Sequence, residues 1–247
     1  MKEDTLASEG ICGFCGEKVS SRALARHLKK HLSEKAAKSP EAGKRAFHLL
    51  VTGEGWYVAN KVYFLHLLVG GEASFFELDD FLRAIWLECC GHLSSFHVKG
   101  RQYYYDWMDE EASIGEDMEQ PVGEVFHIGQ ILRYEYDFGS TTRLEIKVLG
   151  EYPLHSNDNI VLMSRNEALH IKCDICGKKP AVKLCNIHYA GEPQFFCAAC
   201  GTKHAKTCPD FDDYSAFPVV NSPRMGVCAY TGSESIDTER DKPWNGK

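Results

Sequence analysis

Cysteine and histidine residues at metal-ligand spacing lie near both ends of this 247-residue chain. The N-terminal set is Cys12, Cys15, His27 and His31, spaced C-x2-C-x11-H-x3-H. Two thiolates and two imidazoles complete the tetrahedral shell of a structural zinc ion, which then has no open position for a substrate. This spacing therefore predicts one closed zinc site that stabilises a fold.

A second set of ligand residues follows between positions 173 and 208, spaced C-x2-C-x8-C-x2-H-x8-C-x2-C-x3-H-x3-C. Eight nitrogen and sulfur ligands suffice for two closed sites, so the chain is expected to bind three zinc ions in all. The interleaved spacing favours a cross-braced arrangement, with sequential pairing as the alternative. In the cross-braced arrangement one ion is held by Cys173, Cys176, Cys197 and Cys200, and the other by Cys185, His188, His204 and Cys208.

Local sequence predicts how the N-terminal ligands are positioned within residues 1–32. Cys12 and Cys15 flank a short turn, and His27 and His31 share one face of a helix expected over residues 20–32. The module resembles the two-Cys, two-His zinc finger, with the spacing between its ligand pairs one residue short of the commonest value. The C-terminal module, within residues 169–230, resembles the MYND, B-box and ZZ group of small zinc modules.

Basic residues are concentrated in the N-terminal segment, although the whole chain has a net charge of −7. Residues 1–46 contain ten Lys or Arg and six Asp or Glu, a balance of +4, which leaves −11 for the rest. We expect residues 10–46 to bind DNA or RNA weakly and in a salt-sensitive way, because basic side chains on a short helix neutralise phosphates. The candidate phosphate-binding residues are Lys18, Arg22, Arg26, Lys29 and Lys30.

A protein partner is the alternative to nucleic acid. Small zinc fingers are often basic in any case, and an acidic body discourages extended contact with phosphates. The C-terminal zinc module and the acidic core would then act as a protein–protein adaptor. Under both hypotheses the protein is expected not to be an enzyme, because the chain has no P-loop and no G-x-G-x-x-G, and the DFG at residues 137–139 is typical of a strand end followed by a turn.

The sequence does not decide the role of one further group of reactive residues. Cys89 continues an apolar helix stripe, which assigns it to the core. Cys90 and His92 suit either a nucleophile–base pair or a further metal site, although no carboxylate can be named to orient the histidine. Cys228 remains outside both zinc sets.

The region between the zinc modules, residues 47–168, predicts an α+β core with a mixed, largely antiparallel sheet and one main amphipathic helix. Strands are expected at 47–52, 62–69, 96–98 and 102–105, and the clearest hairpin is expected at 131–148. In that hairpin, alternation predicts one face that builds the core, with Leu132, Tyr134, Tyr136 and Phe138, and an opposite charged face, with Arg133, Glu135 and Asp137. The helix begins at a Ser74/Glu77 capping box and continues through an apolar stripe to Cys89. Residues 33–46 have the composition of a linker and residues 231–247 that of a disordered tail.

Composition excludes a membrane protein. The chain is 44% hydrophobic and 26% charged, which is ordinary for a soluble globular protein. No apolar run approaches the ~20 residues that a membrane span requires, and residues 1–10 do not form a signal-peptide core. Because zinc-bound thiolates persist where thiols stay reduced, a cytoplasmic location is expected.

Two segments carry a family resemblance. The run LRYEYDFG at residues 132–139 resembles the YEYDFG signature of the pRiA-plasmid ORF-three-like family, which is also labelled an insertion-element passenger of resolvase type. The run LECCGHLSSF at residues 87–96 resembles another part of that family. The resemblance covers roughly residues 47–150 and implies a compact α+β domain in a mobile-element context. The chain departs from the family after DFG, where Ser140, Thr142 and Leu144 replace an Asp, an aromatic residue and a His.

Overall fold

A computed structural model describes residues 8–38, 40–58, 61–104, 116–155, 158–187, 192, 194–208 and 210–246. These residues form a mixed α+β fold in which a large antiparallel sheet is accompanied by few helices, so the predicted fold class is confirmed. Within the described residues, no helix combines the length and the apolar character that crossing a membrane requires.

The N-terminal ligands lie on a short hairpin and a long helix. Strand β1 (Glu9–Ile11) pairs antiparallel with β2 (Lys18–Ser20), and helix α1 (Ser21–Lys38) follows directly. Helix α1 continues past the predicted end at residue 32, because residues 33–38 are mostly strong helix formers. The first part of the predicted linker at 33–46 is therefore helical.

Seven antiparallel strands form the central sheet. They are β3 (Ala46–Gly53), β4 (Tyr63–Gly70), β5 (Ser94–Val98), β6 (Arg101–Tyr104), β7 (Ile131–Tyr136), β8 (Thr142–Tyr152) and β9 (Ile160–Arg165). Their order in the sheet is β6-β5-β7-β8-β3-β4-β9. Strand β4 is apolar along nearly its whole length because both of its faces are buried.

The two faces of the sheet are covered by different parts of the chain. One face carries the main hydrophobic core, together with the helix that follows β4 and a segment returning from the C-terminal end. The other face presents Phe64, Leu68 and Met163, and α1 packs against it with Leu24, Leu28 and Leu32, which are fully buried. The candidate metal-binding finger is thus seated on the sheet.

The helix after β4 begins as predicted and ends earlier. Helix α2 (Phe75–Leu82) starts at the Ser74/Glu77 capping box, in which each side chain accepts a hydrogen bond from the other residue's backbone N–H. A π-helical turn (Arg83–Leu87) follows, and Glu88 has an extended backbone. Cys89 is therefore not part of the helix, although it is partly buried and packs against the main core, as its assignment to the core predicts.

The β7–β8 hairpin is confirmed, with a difference at its turn. Leu132, Tyr134 and Tyr136 are buried as the alternation predicts, and Glu135 pairs with Arg143 across the strands (2.9 Å). Phe138 was predicted on the buried face and is exposed, because β7 ends at Tyr136. Asp137, predicted on the charged face, is buried with a φ of +63°.

The candidate C-terminal metal ligands lie on a small three-stranded sheet and a short helix. They are positioned by β10 (Lys183–Cys185), β11 (Phe195–Phe196), α3 (Ala198–His204) and β12 (Ala216–Pro218). The strands are antiparallel in the order β11-β10-β12. A π-helical turn (Phe211–Ser215) precedes β12.

The chain after β12 returns to the main core. The fully buried Arg165 of β9 donates to the carbonyl of Asn221 (2.6 Å) and to the carboxylate of Asp241 (3.1 Å). Residues 231–246 were predicted to be disordered from their polar composition. The prediction is wrong there, because a buried ion pair fixes the segment against the sheet.

Candidate metal centres

The structure brings the four N-terminal ligand residues together. All four ligand atoms of Cys12, Cys15, His27 and His31 lie within 4.8 Å of one another. The Nε2 atom of His27 is 3.3 Å from Cys15 Sγ and 3.2 Å from His31 Nε2. A tetrahedral zinc ion with its usual bond lengths separates its ligand atoms by about 3.3–3.8 Å. The group can therefore hold one metal ion with both histidines bound through Nε2.

Two of the three C-x2-C pairs in the predicted sets, Cys12/Cys15 and Cys173/Cys176, lie in turns of the same local construction. The N–H of Gly16 donates to the carbonyl of Cys12 (2.8 Å), and the N–H of Gly177 donates to the carbonyl of Cys173 (2.8 Å). Both glycines have a positive φ, +74° and +63° respectively. Glycine adopts this backbone without strain, which explains why it follows the second cysteine in each turn.

The basic residues of the finger lie on the exposed side of α1. Arg22, Arg26, Lys29 and Lys30 follow one another at positions i, i+4, i+7 and i+8, which places them in one stripe. All four are exposed, whereas the leucines that contact the sheet occupy another stripe of the same helix. Lys18 is also exposed, with its Nζ 3.9 Å from the carboxylate of Glu9. The candidate phosphate-binding residues therefore share one solvent-facing region.

Two buried histidines lie in the sheet face on which the finger sits. His48 of β3 and His66 of β4 are hydrogen-bonded through their rings (2.9 Å). Burial lowers the pKa of His48 to about 4, and burial together with the neighbouring His48 lowers the pKa of His66 to about 3. Both rings are accordingly neutral near neutral pH.

The first C-terminal group joins ligand pairs that are distant in sequence. The sulfur atoms of Cys173, Cys176, Cys197 and Cys200 lie within 4.8 Å of one another. The first pair comes from the Gly177 turn, and the second pair comes from the start of α3. This is the grouping that the cross-braced arrangement requires, and it differs from sequential pairing. Hydrogen bonds from the backbone of Lys179 and Lys178 lower the pKa of Cys176 to about 6, which favours a thiolate.

The second C-terminal group contains three described ligands. Cys185, His204 and Cys208 place their ligand atoms within 4.8 Å of one another. The fourth predicted ligand, His188, lies outside the described residues. The ring of His204 stacks on Phe196 (4.3 Å between ring centroids), and Phe211 packs on the same two rings. The module thus has a small aromatic core beside this group.

A fourth group of ligand residues was only partly foreseen from the sequence. Cys89, Cys90, His92 and Cys228 lie with all ligand atoms within 4.8 Å of one another. Sequence reasoning considered Cys90 and His92 for a metal site, assigned Cys89 to the core and left Cys228 without a role. No spacing rule connects Cys228 to residues 89–92, because the two segments approach each other only in the folded chain.

Comparisons with known sequences assign the chain to no family. No protein-family model matches the chain, and no curated protein matches it. A solved structure of a protein of unknown function from Methanosarcina mazei Go1 is 14% identical, with a TM-score of 0.39. The likeness covers 47% of this chain and 65% of that chain, so less than two thirds of that protein is spanned. It is too weak to assign a shared fold or function.

Proposed function

We propose that the protein is a zinc-dependent, non-enzymatic recognition protein that binds nucleic acid through the exposed basic stripe of α1. Three zinc ions would be bound at these sites, one in the finger and two in the C-terminal module. Closed sets of thiolate and imidazole ligands suit zinc, and they leave no coordination position for metal catalysis. The resemblance of residues 47–150 to the pRiA-plasmid ORF-three-like family supports a mobile-element context.

The observation that carries the proposal is the exposure of the basic stripe on a helix whose other side is fixed. Arg22, Arg26, Lys29 and Lys30 face solvent, while Leu24 and its neighbouring leucines hold α1 on the sheet. A fixed helix presents these charges without further loss of conformational freedom when it meets a phosphate backbone. Phosphate contacts carry little sequence information, so the expected binding is weak and tolerant of sequence.

The test is a binding titration of the full-length, zinc-loaded chain with labelled duplex DNA and single-stranded RNA. Affinity should fall steeply between ~50 mM and ~200 mM salt. Arg22→Ala/Arg26→Ala should weaken binding to all sequences alike and reduce the slope of log affinity against log salt by about 2. The matched control is Lys203→Ala/Lys206→Ala, which removes the same charge from exposed residues of the C-terminal module. Equal effects of the two double variants would exclude the basic stripe of α1 as the binding surface. No binding at ~50 mM salt would remove nucleic acid as the ligand.

A protein-binding adaptor is the second candidate function, and exposed apolar side chains of the C-terminal module favour it. Ile175, beside the Gly177 turn, is 57% exposed, and Tyr214 is 66% exposed. Exposed aromatic and aliphatic side chains on a rigid module are typical contact residues of protein interfaces. Co-purification from native cells with wild type and with Ile175→Asp/Tyr214→Ala should then recover a partner with the wild type alone. Identical recovery with both would exclude this surface.

A further inference from the structure

We propose that Cys89, Cys90, His92 and Cys228 form a fourth zinc site, which binds the returning C-terminal segment to the central sheet. The site has three sulfur ligands and one imidazole, a combination common in structural zinc sites. It is separate from the three sites inferred from ligand spacing, and it adds an ion that the spacing alone does not predict.

Most of the distances within the group are close to those around a shared tetrahedral ion, and the Cys90–His92 separation is shorter. Cys90 Sγ lies 3.7 Å from Cys89 Sγ, 3.5 Å from Cys228 Sγ and 3.0 Å from His92 Nε2. His92 Nε2 lies 3.4 Å from Cys228 Sγ. Zinc bonds of about 2.3 Å to sulfur and 2.0–2.1 Å to nitrogen separate tetrahedral ligand atoms by about 3.5–3.8 Å. The sulfur separations far exceed the ~2.05 Å of a disulfide bond, so a common ion accounts for the spacing of the thiols better than a covalent bridge.

The cysteine content of the whole chain agrees with this assignment. The chain has 11 cysteines, and every one of them belongs to one of the four ligand groups. Eight are used by the three sites inferred from spacing, and the other three are Cys89, Cys90 and Cys228. Because these three converge from two distant segments, their meeting is a property of the fold and not of local sequence.

A buried arginine supplies the charge that such a site requires. Three thiolates around Zn²⁺ leave a net charge of about −1, which needs a nearby cation when partly buried. Arg224 is fully buried, and its guanidinium Nη2 donates to Cys89 Sγ (3.5 Å) and to Asp137 Oδ2 (2.7 Å). The arginine thus contacts a ligand sulfur and orients a neighbouring carboxylate, as groups outside the ligand shell do in known metal sites.

Asp137 is held beside the group and is not needed as a ligand. Its Oδ2 lies 3.6 Å from His92 Nε2, and the same oxygen accepts the hydrogen bond from Arg224. Its Oδ1 accepts from the backbone N–H groups of Gly139 (3.0 Å) and Ser140 (3.1 Å). Both oxygens are thus held by the protein, and the four sulfur and nitrogen atoms of the group are enough to complete a tetrahedral shell. This leaves the site closed.

The backbone at the fourth ligand is unusual in a way that fits metal binding. Cys228 has a φ of +53°, a conformation that residues other than glycine adopt uncommonly. Such strain persists where surrounding interactions fix it, and it concentrates at functional positions. A bond from the Cys228 thiolate to zinc would supply that interaction. Binding would release the thiol protons without any oxidation.

The decisive experiment counts metal ions in the full-length chain purified under reducing conditions without chelator. The wild type should contain four zinc equivalents. Cys228→Ala, at an exposed position, should lose one equivalent, and Ala229→Ser, at the neighbouring exposed position, should lose none. A wild type with three equivalents, or a Cys228→Ala variant with an unchanged metal content, would overturn the proposal.

Cadmium-substituted wild type provides a test that needs no variant. The ¹¹³Cd chemical shift depends on the number of sulfur ligands, so the fourth site should give its own resonance with the shift of three sulfurs and one nitrogen. That resonance should disappear in Cys90→Ser while the other cadmium signals persist. If wild type shows no three-sulfur resonance, the group is a set of free thiols. If mass analysis instead finds a Cys90–Cys228 disulfide in reductant, the proposal also fails.

Discussion

The two candidate metal-binding modules near the ends of the chain share one form of C-x2-C turn and are stabilised in different ways. The N-terminal finger rests on the central sheet through Leu24, Leu28 and Leu32. In the C-terminal module, Phe196 and Phe211 form a small core of their own beside the Cys185 group, while Ala181, Leu184 and Phe195 join the main hydrophobic core. The finger helix is held by three fully buried leucines, whereas the ligands beside Phe196 lie in a small separate core that depends more on its metal for folding. We therefore expect the two ends to differ in their dependence on zinc.

The largest expected effect is the loss of the C-terminal module in Cys176→Ala. Removing one thiolate from the Cys173 group should release its ion and unfold residues 171–218, because structural zinc supplies most of the folding energy of small modules. The central sheet should remain folded. Metal analysis combined with hydrogen exchange would show loss of protection in this region alone.

The matched change in the finger is Cys15→Ala. It should also remove one zinc equivalent, yet α1 should stay protected from exchange because its leucines remain buried in the sheet. If the two variants unfold their modules to the same extent, the contrast between metal-dependent and sheet-supported folding is wrong.

The next largest effect is expected when a leucine that holds the finger on the sheet is shortened. Leu28→Ala should lower the free energy of unfolding by about 2–5 kcal/mol, since a fully buried leucine leaves a cavity between α1 and the sheet. Zinc should still bind, because none of the four ligands changes. Lys29→Ala, at an exposed position of the same helix, is the control and should change stability by less than about 0.5 kcal/mol. Urea unfolding followed by circular dichroism measures both.

The stability of the folded protein should depend on pH through the two buried histidines on the sheet face beneath the finger. The unfolded chain protonates His48 and His66 near their ordinary pKa of about 6.5, whereas burial lowers the folded pKa values to about 4 and about 3. At pH values between the unfolded and the folded pKa values, the unfolded state binds more protons than the folded state. Stability is therefore lost as pH falls from about 6.5 to about 4, at up to about 1.4 kcal/mol per pH unit for each histidine.

The matched variant for this prediction is His48→Leu/His66→Leu, which retains all metal ligands. Acid release of zinc affects wild type and variant alike, so it cancels in the difference between their unfolding free energies. That difference should grow in favour of the variant as pH falls. Parallel pH profiles for the two proteins would mean that the histidine pair does not contribute.

The smallest expected effect compares the two C-x2-C turns directly. Gly16→Ala and Gly177→Ala each place a Cβ at a positive φ, where it meets no other atom within 4 Å. Backbone strain of about 1–2 kcal/mol should be the whole cost in both turns. Competition with a chelator should show a similar weakening of zinc retention at the two sites. If zinc retention weakens more at one site than at the other, the glycine of that turn is required for more than its positive φ.

Sequence patterns predicted the parts of the structure that depend on short-range spacing. Strands β3, β4, β7 and β8 follow from apolar periodicity, and the Ser74/Glu77 capping box marked the start of α2. The ligand spacing also predicted the groups around Cys12 and Cys173, because a turn or a helix places nearby ligands in a fixed geometry.

Long-range contacts were not predictable in this way. The leucines of α1 have the periodicity of a finger's own core, so nothing local indicates that they contact Met163 in β9. Cys228 meets His92 across 136 positions of the chain, and the buried Arg165–Asp241 pair links residues 76 positions apart. The apolar stripe also gives no sign of the π-helical turn at Arg83–Leu87. Because of that turn, Cys89 does not lie on the helix where the stripe predicts it.

Some of the sheet residues that α1 packs against lie late in the chain, and this affects the order of folding during synthesis. Helix α1 is made early, while Tyr152, Leu154 and Met163, which complete its contact surface, are translated more than 110 residues later. At typical elongation rates this interval lasts roughly 10 s. During that time the apolar side of α1 has no sheet to cover it, so zinc binding or a chaperone must protect the nascent segment from aggregation. Zinc scarcity during translation would then lower the yield of folded protein more than later withdrawal of zinc from the finished chain.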